Sequence, residues 1–368
     1  MGTVSNKNTI TSIEGVLLET MPDGTVRLST YDLIKGFRCS FVPSSIEREG
    51  KYIINAQRLF QTVRVLPDDE ITFDINDKLN CTVSSGKSSF SMFAMNGADF
   101  PNLPELTSER GFEVSADTLR MIIGKVSHSI GDSESRPMLC GAYFKISDEG
   151  MEVVSCDSYT LSRCNVKCDI SSLSAKGELG YSFIIPGASL SELSKILGEG
   201  DEERVHFYLS RKHAIIKKGE NVFFTKTIDS EYIDYNRMIP RENDISVTVE
   251  RERILESLER AIIIADEKIK GSGRSYVKIT AEGNYLVITS SSVNGKVFDE
   301  VDCVHEGGDI EIGFNCRYLI NSIKVAEGDN IRITFKSATT AITIEPVEED
   351  ENYKYFYMIL PVRMNDQK

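Results

Sequence analysis

A pattern that repeats about every 130 residues constrains this chain more than any other feature of its sequence. Three stretches each contain a short apolar strand, a turn-forming residue, about three turns of helical periodicity, an acid-rich turn and an alternating strand. The turn-forming residues lie 131 and 127 residues apart and are Asn55, Pro186 and Gly313. Because 368 residues suit two or three domains, each repeat has the size of one domain.

A second repeated pattern, two strands joined by a turn with glycine, supports the same period. The turn glycines Gly24, Gly150 and Gly283 are 126 and 133 residues apart. A strand and an amphipathic helix precede this pattern at Phe112 and Ile245, but the first copy has no such segment. The period would put it about 18 residues before Met1. We therefore expect the first domain to lack its N-terminal strand and helix.

The repeats predict an α+β fold of three similar domains. Each complete copy contains two strand–helix–strands units, with the helices gathered on one face of the sheets. Linkers are expected near residues 107–111 and 241–244, which gives domains 1–110, 111–242 and 243–368. The longest apolar runs fall far short of the ~20 residues that span a bilayer, and the N-terminus has no signal-peptide pattern. We expect a cytoplasmic protein without membrane contact.

The charge is distributed unevenly. The chain has 42 basic and 56 acidic residues, a net charge of −14, yet four predicted helices contain seven cations and one acid, Glu192. The cations are Arg58, Arg64, Arg120, Lys125, Lys195, Arg317 and Lys324. The fifth helix, 250–265, is mixed. Helices that face one surface would bind phosphates weakly and without sequence preference, although solvated helix faces are the simpler explanation for each residue alone.

Four segments identify the chain as similar to a known family. They are SSFSMFAMNGADFPNLPEL from Ser88, FFTKTIDSEYIDYNRMIP from Phe223, EIGFNCRYLINSI from Glu311 and YMILPVRM from Tyr357. Together they resemble the bacterial beta sliding clamps, the processivity subunits of replicative DNA polymerase. The resemblance implies the DNA clamp fold, with inner helices and outer sheets, and a head-to-tail homodimer that closes as a ring around double-stranded DNA, sequence-independently and without catalysis or a cofactor.

The resemblance also implies a pocket between the second and third domains that binds short linear peptides of the polymerase, the clamp loader and repair proteins. The matching positions are Leu139, Cys156, Ser158, Tyr159, Thr160, Leu161, Ile233, Arg237, Met238, Ala338, Thr340, Met358, Leu360, Pro361, Val362 and Arg363. Many family members have Asp-Gly-His-Arg where this chain has Asp157-Ser158-Tyr159-Thr160. The loss of two cationic side chains and the gain of Tyr159 predict an altered partner preference.

Further positions follow from the same resemblance. Ile263 and Ile264 match the dimer-forming helix of the third domain, with Phe100 and Leu103 as their expected partners. Lys7 and Arg136 match loops that face DNA.

Two other classes of protein remain as alternatives. An enzyme is disfavoured because the sequence has no GxGxxG after a strand, no GxxxxGK[ST], no HExxH and no GxSxG, and its four histidines are scattered. Eight cysteines form no zinc-ligand set, so no metal is expected. A clamp-like platform that binds peptides but does not close on DNA is the nearer alternative, and oligomeric state would discriminate it.

Overall fold

The computed structural model describes residues 2–4, 11–67, 69–106, 108, 110–133, 135–174, 177, 179–198, 203–266, 276–348 and 350–364. The chain packs into two compact units. Unit 1 comprises Met1–Asp117, Ile170–Glu178 and Ser191–Thr227. Unit 2 comprises Thr118–Asp169, Leu179–Leu190 and Ile228–Lys368. The strands of the central repeat are shared between the units, so the three-domain division at residues 110 and 242 stays a prediction.

The five predicted helices are confirmed. They are α1 Ala56–Val65, α2 Ala116–Val126, α3 Gly187–Leu197, α4 Arg251–Ala265 and α5 Cys316–Val325. Asparagine caps two of them: the side chain of Asn55 accepts the N–H of Arg58, and that of Asn315 accepts the N–H of Arg317. Helix α2 begins earlier than expected, so Asp117 joins Glu192 as a second acid on the four cationic helices.

Short antiparallel strands make up most of the remaining fold. The first twelve are β1 Gly15–Thr20, β2 Val26–Tyr31, β3 Lys35–Phe41, β4 Lys51–Asn55, β5 Thr72–Ile75, β6 Asn80–Ser85, β7 Ser88–Asn96, β8 Gly111–Ser115, β9 Gly141–Ser147, β10 Gly150–Cys156, β11 Thr160–Val166 and β12 Ser171–Ser172. The other twelve are β13 Tyr181–Pro186, β14 Arg204–Leu209, β15 His213–Lys218, β16 Asn221–Lys226, β17 Ile245–Glu250, β18 Val277–Glu282, β19 Tyr285–Ser291, β20 Lys296–Glu306, β21 Ile310–Phe314, β22 Asn330–Phe335, β23 Ile342–Pro346 and β24 Tyr353–Ile359.

Each unit has one sheet of twelve strands. The order in unit 1 is β12-β8-β14-β15-β16-β3-β2-β1-β4-β7-β6-β5. The order in unit 2 is β13-β9-β10-β11-β24-β23-β22-β17-β20-β19-β18-β21. Strands from different repeats pair once within each sheet, β3 with β16 and β11 with β24. This continuity explains why the central repeat does not form a compact unit of its own.

The repeated hairpins form as the sequence predicts. Strands β1–β2, β9–β10 and β18–β19 pair in antiparallel register, and their turn residues Gly24, Gly150 and Gly283 all have positive φ. Successive side chains of a strand point to opposite faces, so one side of each strand lies in a core. In β6, for example, Cys81 and Val83 are fully buried while their neighbours are partly exposed.

One apolar core lies between helix α1 and the strands that follow and precede it. In unit 1, Leu59 of α1 packs with Ile54, Ile75, Val83 and other strand residues. Burying a side chain of this size contributes about 1.5–3 kcal/mol, so a few such residues hold a ten-residue helix in place. No helix within the described ranges has the length and hydropathy needed to cross a membrane.

Candidate functional site

Six of the residues predicted for peptide binding share one apolar cluster in unit 2. Four are buried cluster members, and two half-buried residues pack against them. The buried members are Leu139, Cys156, Leu161 and Met358, and the half-buried residues are Ile233 and Leu360. Strand pairing brings them together, because Leu161 of β11 lies opposite Met358 of β24. Burial raises the pKa of the Cys156 thiol, so it forms a neutral part of this wall.

A tight turn between β10 and β11 borders the cluster. Oδ1 of Asp157 accepts the backbone N–H groups of Tyr159 at 2.8 Å and Thr160 at 2.6 Å. Ser158 has a φ of 83°, which is uncommon for a residue other than glycine. The N–H of Leu360 donates to the carbonyl of Tyr159 at 2.9 Å, so the turn is also fixed to the chain that follows β24.

Tyr159 presents an aromatic surface at the edge of this site. Its residue surface is 58 % exposed, and its ring stacks on Tyr318 of α5 with centroids 5.9 Å apart. Tyr318, two residues after the start of α5, is absent from the site predicted from the sequence. The pair supplies apolar contact area at the positions where the resemblance implies cationic side chains.

Arg136 belongs to this site by position. Its guanidinium donates to the hydroxyl of Ser158 at 3.0 Å, and its side chain is exposed. This hydrogen bond places the guanidinium at the β10–β11 turn, and the DNA contact expected for Arg136 stays a prediction. Arg237 is paired with Asp234 at 2.8 Å, and its side chain is 86 % exposed, so solvent screens the pair strongly.

The remaining predicted residues differ in exposure. Met238, Ala338 and Arg363 are exposed. Ser158, Thr340, Pro361 and Val362 are half-buried, and Thr160 is buried. The N–H of Val362 donates to the carbonyl of Gly313, which fixes the end of the chain beside β21.

A buried polar group supports the segment that contains Ile233 and Met238. The hydroxyl of Tyr235 donates to Glu152, whose carboxylate also binds the guanidinium of Arg163. Rings of Tyr143 and Tyr232 stack at 5.1 Å beside it. Burial, and after it the hydrogen bond to Glu152, raises the pKa of Tyr235, which keeps the phenol protonated as a donor.

The cationic helix residues fall into three groups. Arg58 and Arg64 on α1 are exposed and form no ion pair with another described residue. Others are exposed but paired: Lys195 with Glu192, Arg317 with Asp266, and Lys324 with Glu259. Arg120 is half-buried. Lys7 lies outside the described residues.

Lys125 is a correction to the predicted DNA-facing set. It is 6 % exposed, its ammonium donates to the carbonyl of Val325 and pairs with Glu327 at 2.7 Å, and it lies over the ring of Tyr355. The lysine of one helix therefore caps the C-terminal end of another, α5, where the helix dipole favours a cation. This contact leaves Lys125 no exposed charge for a phosphate.

His128 lies beside the same junction in unit 2. Its Nε2 is 3.1 Å from the hydroxyl of Ser162 and 3.2 Å from that of Ser322, and its Nδ1 is buried without a hydrogen bond to a described residue. Burial, with the Lys125 ammonium nearby, lowers the pKa of His128 to about 4. The folded state therefore holds this imidazole neutral.

We expect His128 to make folding pH-dependent. Below the ordinary histidine pKa, near 6.5, the unfolded chain takes up a proton before the folded chain does, so stability is lost as the pH falls towards about 4. Between pH 7.5 and 5.5 this group should remove about 1 kcal/mol from the free energy of unfolding. Urea unfolding of wild type and His128→Gln at both pH values measures it. Equal losses in the two proteins would contradict the assignment.

The predicted dimer residues divide into two cases. Ile263 on α4 is 70 % exposed and Ile264 is half-buried, as a contact surface requires. Phe100 is 7 % exposed and, with Leu103, packs in the core of unit 1 against Ile53. The prediction of Phe100 as a partner of Ile263 is wrong, because a short 3-10 turn at Gly97–Asp99 directs the following chain into that core. Leu103 is half-buried, and its assignment to the dimer contact stays a prediction.

Other exposed apolar residues, which were not predicted as site residues from the sequence, lie on two strands. Phe90 and Phe93 on β7 are 39 % and 77 % exposed, and Phe298 and Val304 on β20 are 70 % and 62 % exposed. The segment SSFSMF indicates an exposed apolar surface, because its aromatic residues fall on both faces of one strand.

Comparisons with known proteins agree with this geometry. Models of the N-terminal, central and C-terminal domains of the DNA polymerase III beta subunit match residues 1–104, 113–234 and 236–363. The beta sliding clamp of Bacillus subtilis is 27 % identical over 372 residues, covering 98 % of this chain and 94 % of its own length. That of Halalkalibacterium halodurans is 29 % identical over 356 residues, covering 95 % and 89 %.

Solved structures give the same result. The DNA polymerase sliding clamp of Bacillus subtilis superposes with a TM-score of 0.87 at 25 % identity, covering 99 % of this chain and 95 % of that one. A sliding clamp of Bartonella birtlesii bound to griselimycin has a TM-score of 0.87 at 27 % identity, covering 98 % and 94 %. The chain therefore belongs to the family of DNA polymerase III beta subunits, the sliding clamps.

Proposed function

We propose that two copies of this chain close head to tail into a ring around double-stranded DNA and carry partner proteins along it. The observation that supports this most directly is a pair of strand edges left open by the repeats. Strands of different repeats pair as β3·β16 in unit 1 and as β11·β24 in unit 2. A third pairing between strands of different repeats would join β20 to β7. These two strands do not pair with each other within one chain.

The equivalence of β3, β11 and β20 follows from their hairpins. Each begins after a turn of four residues, closed by Tyr31↔Gly36, Cys156↔Leu161 and Ser291↔Lys296. Likewise β7 and β16 each follow a two-residue turn whose glycine, Gly86 or Gly219, has a φ near 55°. Because these turns match, the pairing of β3 with β16 can be applied to the equivalent strands β20 and β7.

Both proposed edges are free in the described strands. Residues 88–93 of β7 pair only with β6, and residues 296–302 of β20 pair only with β19. Open edges of this length favour pairing with another chain. Transfer of the β3·β16 register places Phe90 opposite Val297 and Ser91 opposite Lys296 of the second copy. Apolar contacts of Phe90 with this edge and with Ile263 would then support closure.

DNA binding in this proposal depends on the cationic helices. Arg58, Arg64, Lys195, Arg317 and Lys324 are exposed, and solvent-screened ion pairs can exchange an acidic side chain for a phosphate. Contacts of this kind carry no base readout, so binding is sequence-independent and salt-sensitive. Retention comes from closure, and the proposal assigns no catalytic step or cofactor to the chain.

Charge reversal on α1 tests the DNA contact. Arg58→Glu with Arg64→Glu should weaken equilibrium binding to duplex DNA and lower the salt slope by about 2, because two phosphate contacts are lost. Lys145→Glu with Lys354→Glu is the matched control, since both lysines are exposed on strands whose neighbouring residues face the core. Binding titrations at several salt concentrations measure the slope. An unchanged slope in the α1 variant would remove these arginines from the interface.

The apolar cluster of unit 2 supports the second part of the proposal. Leu360 and Ile233 offer partly exposed apolar surface beside a fixed turn, to which Arg136 is hydrogen-bonded. Met238, Arg237 and Arg363 are exposed on the segments that follow Ile233 and Leu360. A short peptide with apolar side chains and acidic flanks fits this chemistry. We infer that peptides of the replicative polymerase, the clamp loader and repair proteins bind here, with preferences shifted by the Tyr159–Tyr318 pair.

A further inference from the structure

The turn between β2 and β3 in unit 1 repeats the architecture of the peptide-site turn in unit 2. In Asp32–Lys35, Oδ1 of Asp32 accepts the N–H groups of Ile34 and Lys35, at 3.0 and 2.7 Å. In Asp157–Thr160, Oδ1 of Asp157 accepts the equivalent N–H groups at 2.8 and 2.6 Å. Each aspartate N–H also bonds the carbonyl of the fourth residue of its own turn, at 3.1 and 3.2 Å.

Backbone strain falls at the same position of both turns. Leu33 has a φ of 74° and Ser158 a φ of 83°, and the one other described non-glycine residue with positive φ is Leu79. Such a conformation costs free energy and is concentrated at functional sites.

In the third repeat Ser292 replaces the aspartate, and Val293 has no positive φ. The third turn keeps two of the turn hydrogen bonds, because the Ser292 N–H donates to the carbonyl of Gly295 at 2.9 Å and the Ser292 hydroxyl accepts the N–H of Asn294 at 3.1 Å. The left-handed second residue is what distinguishes the first two turns from the third.

The neighbouring strand holds both turns in the same way. The N–H of Lys226 donates to the carbonyl of Ile34 at 2.8 Å, as the N–H of Leu360 does to that of Tyr159 at 2.9 Å. The hydroxyl of Tyr31 also donates to the carbonyl of Leu33, at 3.2 Å. These bonds fix the backbone of a turn whose apolar side chains remain in solvent.

The Asp32–Lys35 turn presents apolar surface next to positive charge. Leu33 and Ile34 are 36 % and 50 % exposed. Asp32 is neutralised by Lys35, at 2.6 Å in a largely buried pair. Lys226 is exposed beside Ile34. It lies opposite His213 where β15 pairs with β16.

A second lysine adds to this charge. Lys212 is exposed next to His213, and its carbonyl accepts the N–H of Thr227 at 3.0 Å, so it lies beside Lys226. Burial and then the ammonium groups of Lys226 and Lys212 lower the pKa of His213. Lys212 and Lys226 form no ion pair with another described residue, whereas Asp32 is paired with Lys35. The net charge beside the exposed leucine and isoleucine is therefore positive, which complements carboxylates.

We propose that the Asp32–Lys35 turn, with Lys212 and Lys226, is a second docking site for a partner protein, and that it binds a short segment with apolar side chains flanked by carboxylates. The inference rests on the proposed peptide site as its template. It differs in the side chains offered, because leucine and isoleucine replace the serine and tyrosine of the unit 2 turn. The two sites would therefore select different sequences.

Fluorescence anisotropy on the full chain tests this site. The probe is a labelled pool of ten-residue peptides with three apolar residues and four aspartates, and its control pool has asparagine in place of aspartate. Leu33→Gly with Ile34→Ser removes both apolar side chains, and glycine accepts the positive φ of residue 33, so the turn is retained. All proteins are compared with and without Leu360→Asp, which disables the unit 2 site.

We expect the acidic pool to bind saturably in the Leu360→Asp background, and the double turn variant to bind it at least tenfold more weakly. Lys226→Gln should weaken binding several-fold. Equal binding of the asparagine pool, or equal binding by the turn variant, overturns the inference. So does displacement of the peptides by a 20-base-pair duplex, which would make the surface a DNA contact. If Leu360→Asp abolishes peptide binding and the turn variant has no effect, this site is overturned and the proposed function is left intact.

Discussion

Phe90→Asp is expected to convert the proposed dimer of this chain into monomers. In the transferred register, Phe90 lies opposite Val297 of the second copy, so the substitution places a carboxylate in an apolar contact. Burying an unpaired charge of this kind costs at least about 3 kcal/mol, which is a hundredfold or more in the dissociation constant of each interface. Sedimentation equilibrium should give the protomer mass of 41.1 kDa in place of twice that value.

Phe41→Asp is the matched control for this experiment. Phe41 is 48 % exposed and lies at the end of β3, a strand that is already paired on both sides within unit 1. The same chemical change should therefore leave the dimer intact. A Phe90→Asp protein that remains dimeric at micromolar concentration would show that the interface does not include β7.

Leu360→Asp is expected to abolish capture of the polymerase's own peptide tail. Leu360 is half-buried against the apolar cluster of unit 2, and its backbone N–H can keep its bond to Tyr159 after the substitution. A carboxylate here removes apolar contact and repels acidic flanks, so we expect affinity to fall by about 3 kcal/mol, or roughly a hundredfold. Fluorescence anisotropy with the labelled tail measures this change.

Lys354→Asp, on the exposed side of the preceding strand, is the control. Leu360 is a better target than Met358, because Met358 is 1 % exposed and its truncation would destabilise the core as well. Undiminished binding by a folded Leu360→Asp chain would place the peptide elsewhere.

Local patterns in the sequence predicted the helices and hairpins well. Each helix has an apolar stripe at helical spacing, and Asn55 and Asn315 mark two helix starts with capping side chains. The turn glycines identify the hairpins because positive φ is costly for other residues. These signals lie within a few residues of the structure that they predict.

Long-range contacts could not be predicted in the same way. Lys125 meets the carbonyl of Val325 two hundred residues away, so its charge alone wrongly suggested a DNA contact. Phe100 resembled an interface residue until the Gly97–Asp99 turn placed it in the core. Arg136 and Tyr318 join the proposed peptide site through contacts with Ser158 and Tyr159 that no spacing reveals.

The likeness between the Asp32–Lys35 and Asp157–Thr160 turns was hidden for a related reason. The two sequences, DLIK and DSYT, share only their aspartate. What they have in common is a set of backbone hydrogen bonds and one left-handed residue, which become visible only in three dimensions.

The lifetime of the chain on circular and on linear DNA tests encirclement most directly. The clamp loader and ATP would load the labelled dimer onto a nicked circular duplex, which a restriction enzyme then cuts once. A closed ring held by weak contacts should stay on the circle for many minutes and slide off the cut ends within seconds. Equal release rates from the two forms would contradict the proposal, and would favour a peptide-binding platform that does not close on DNA.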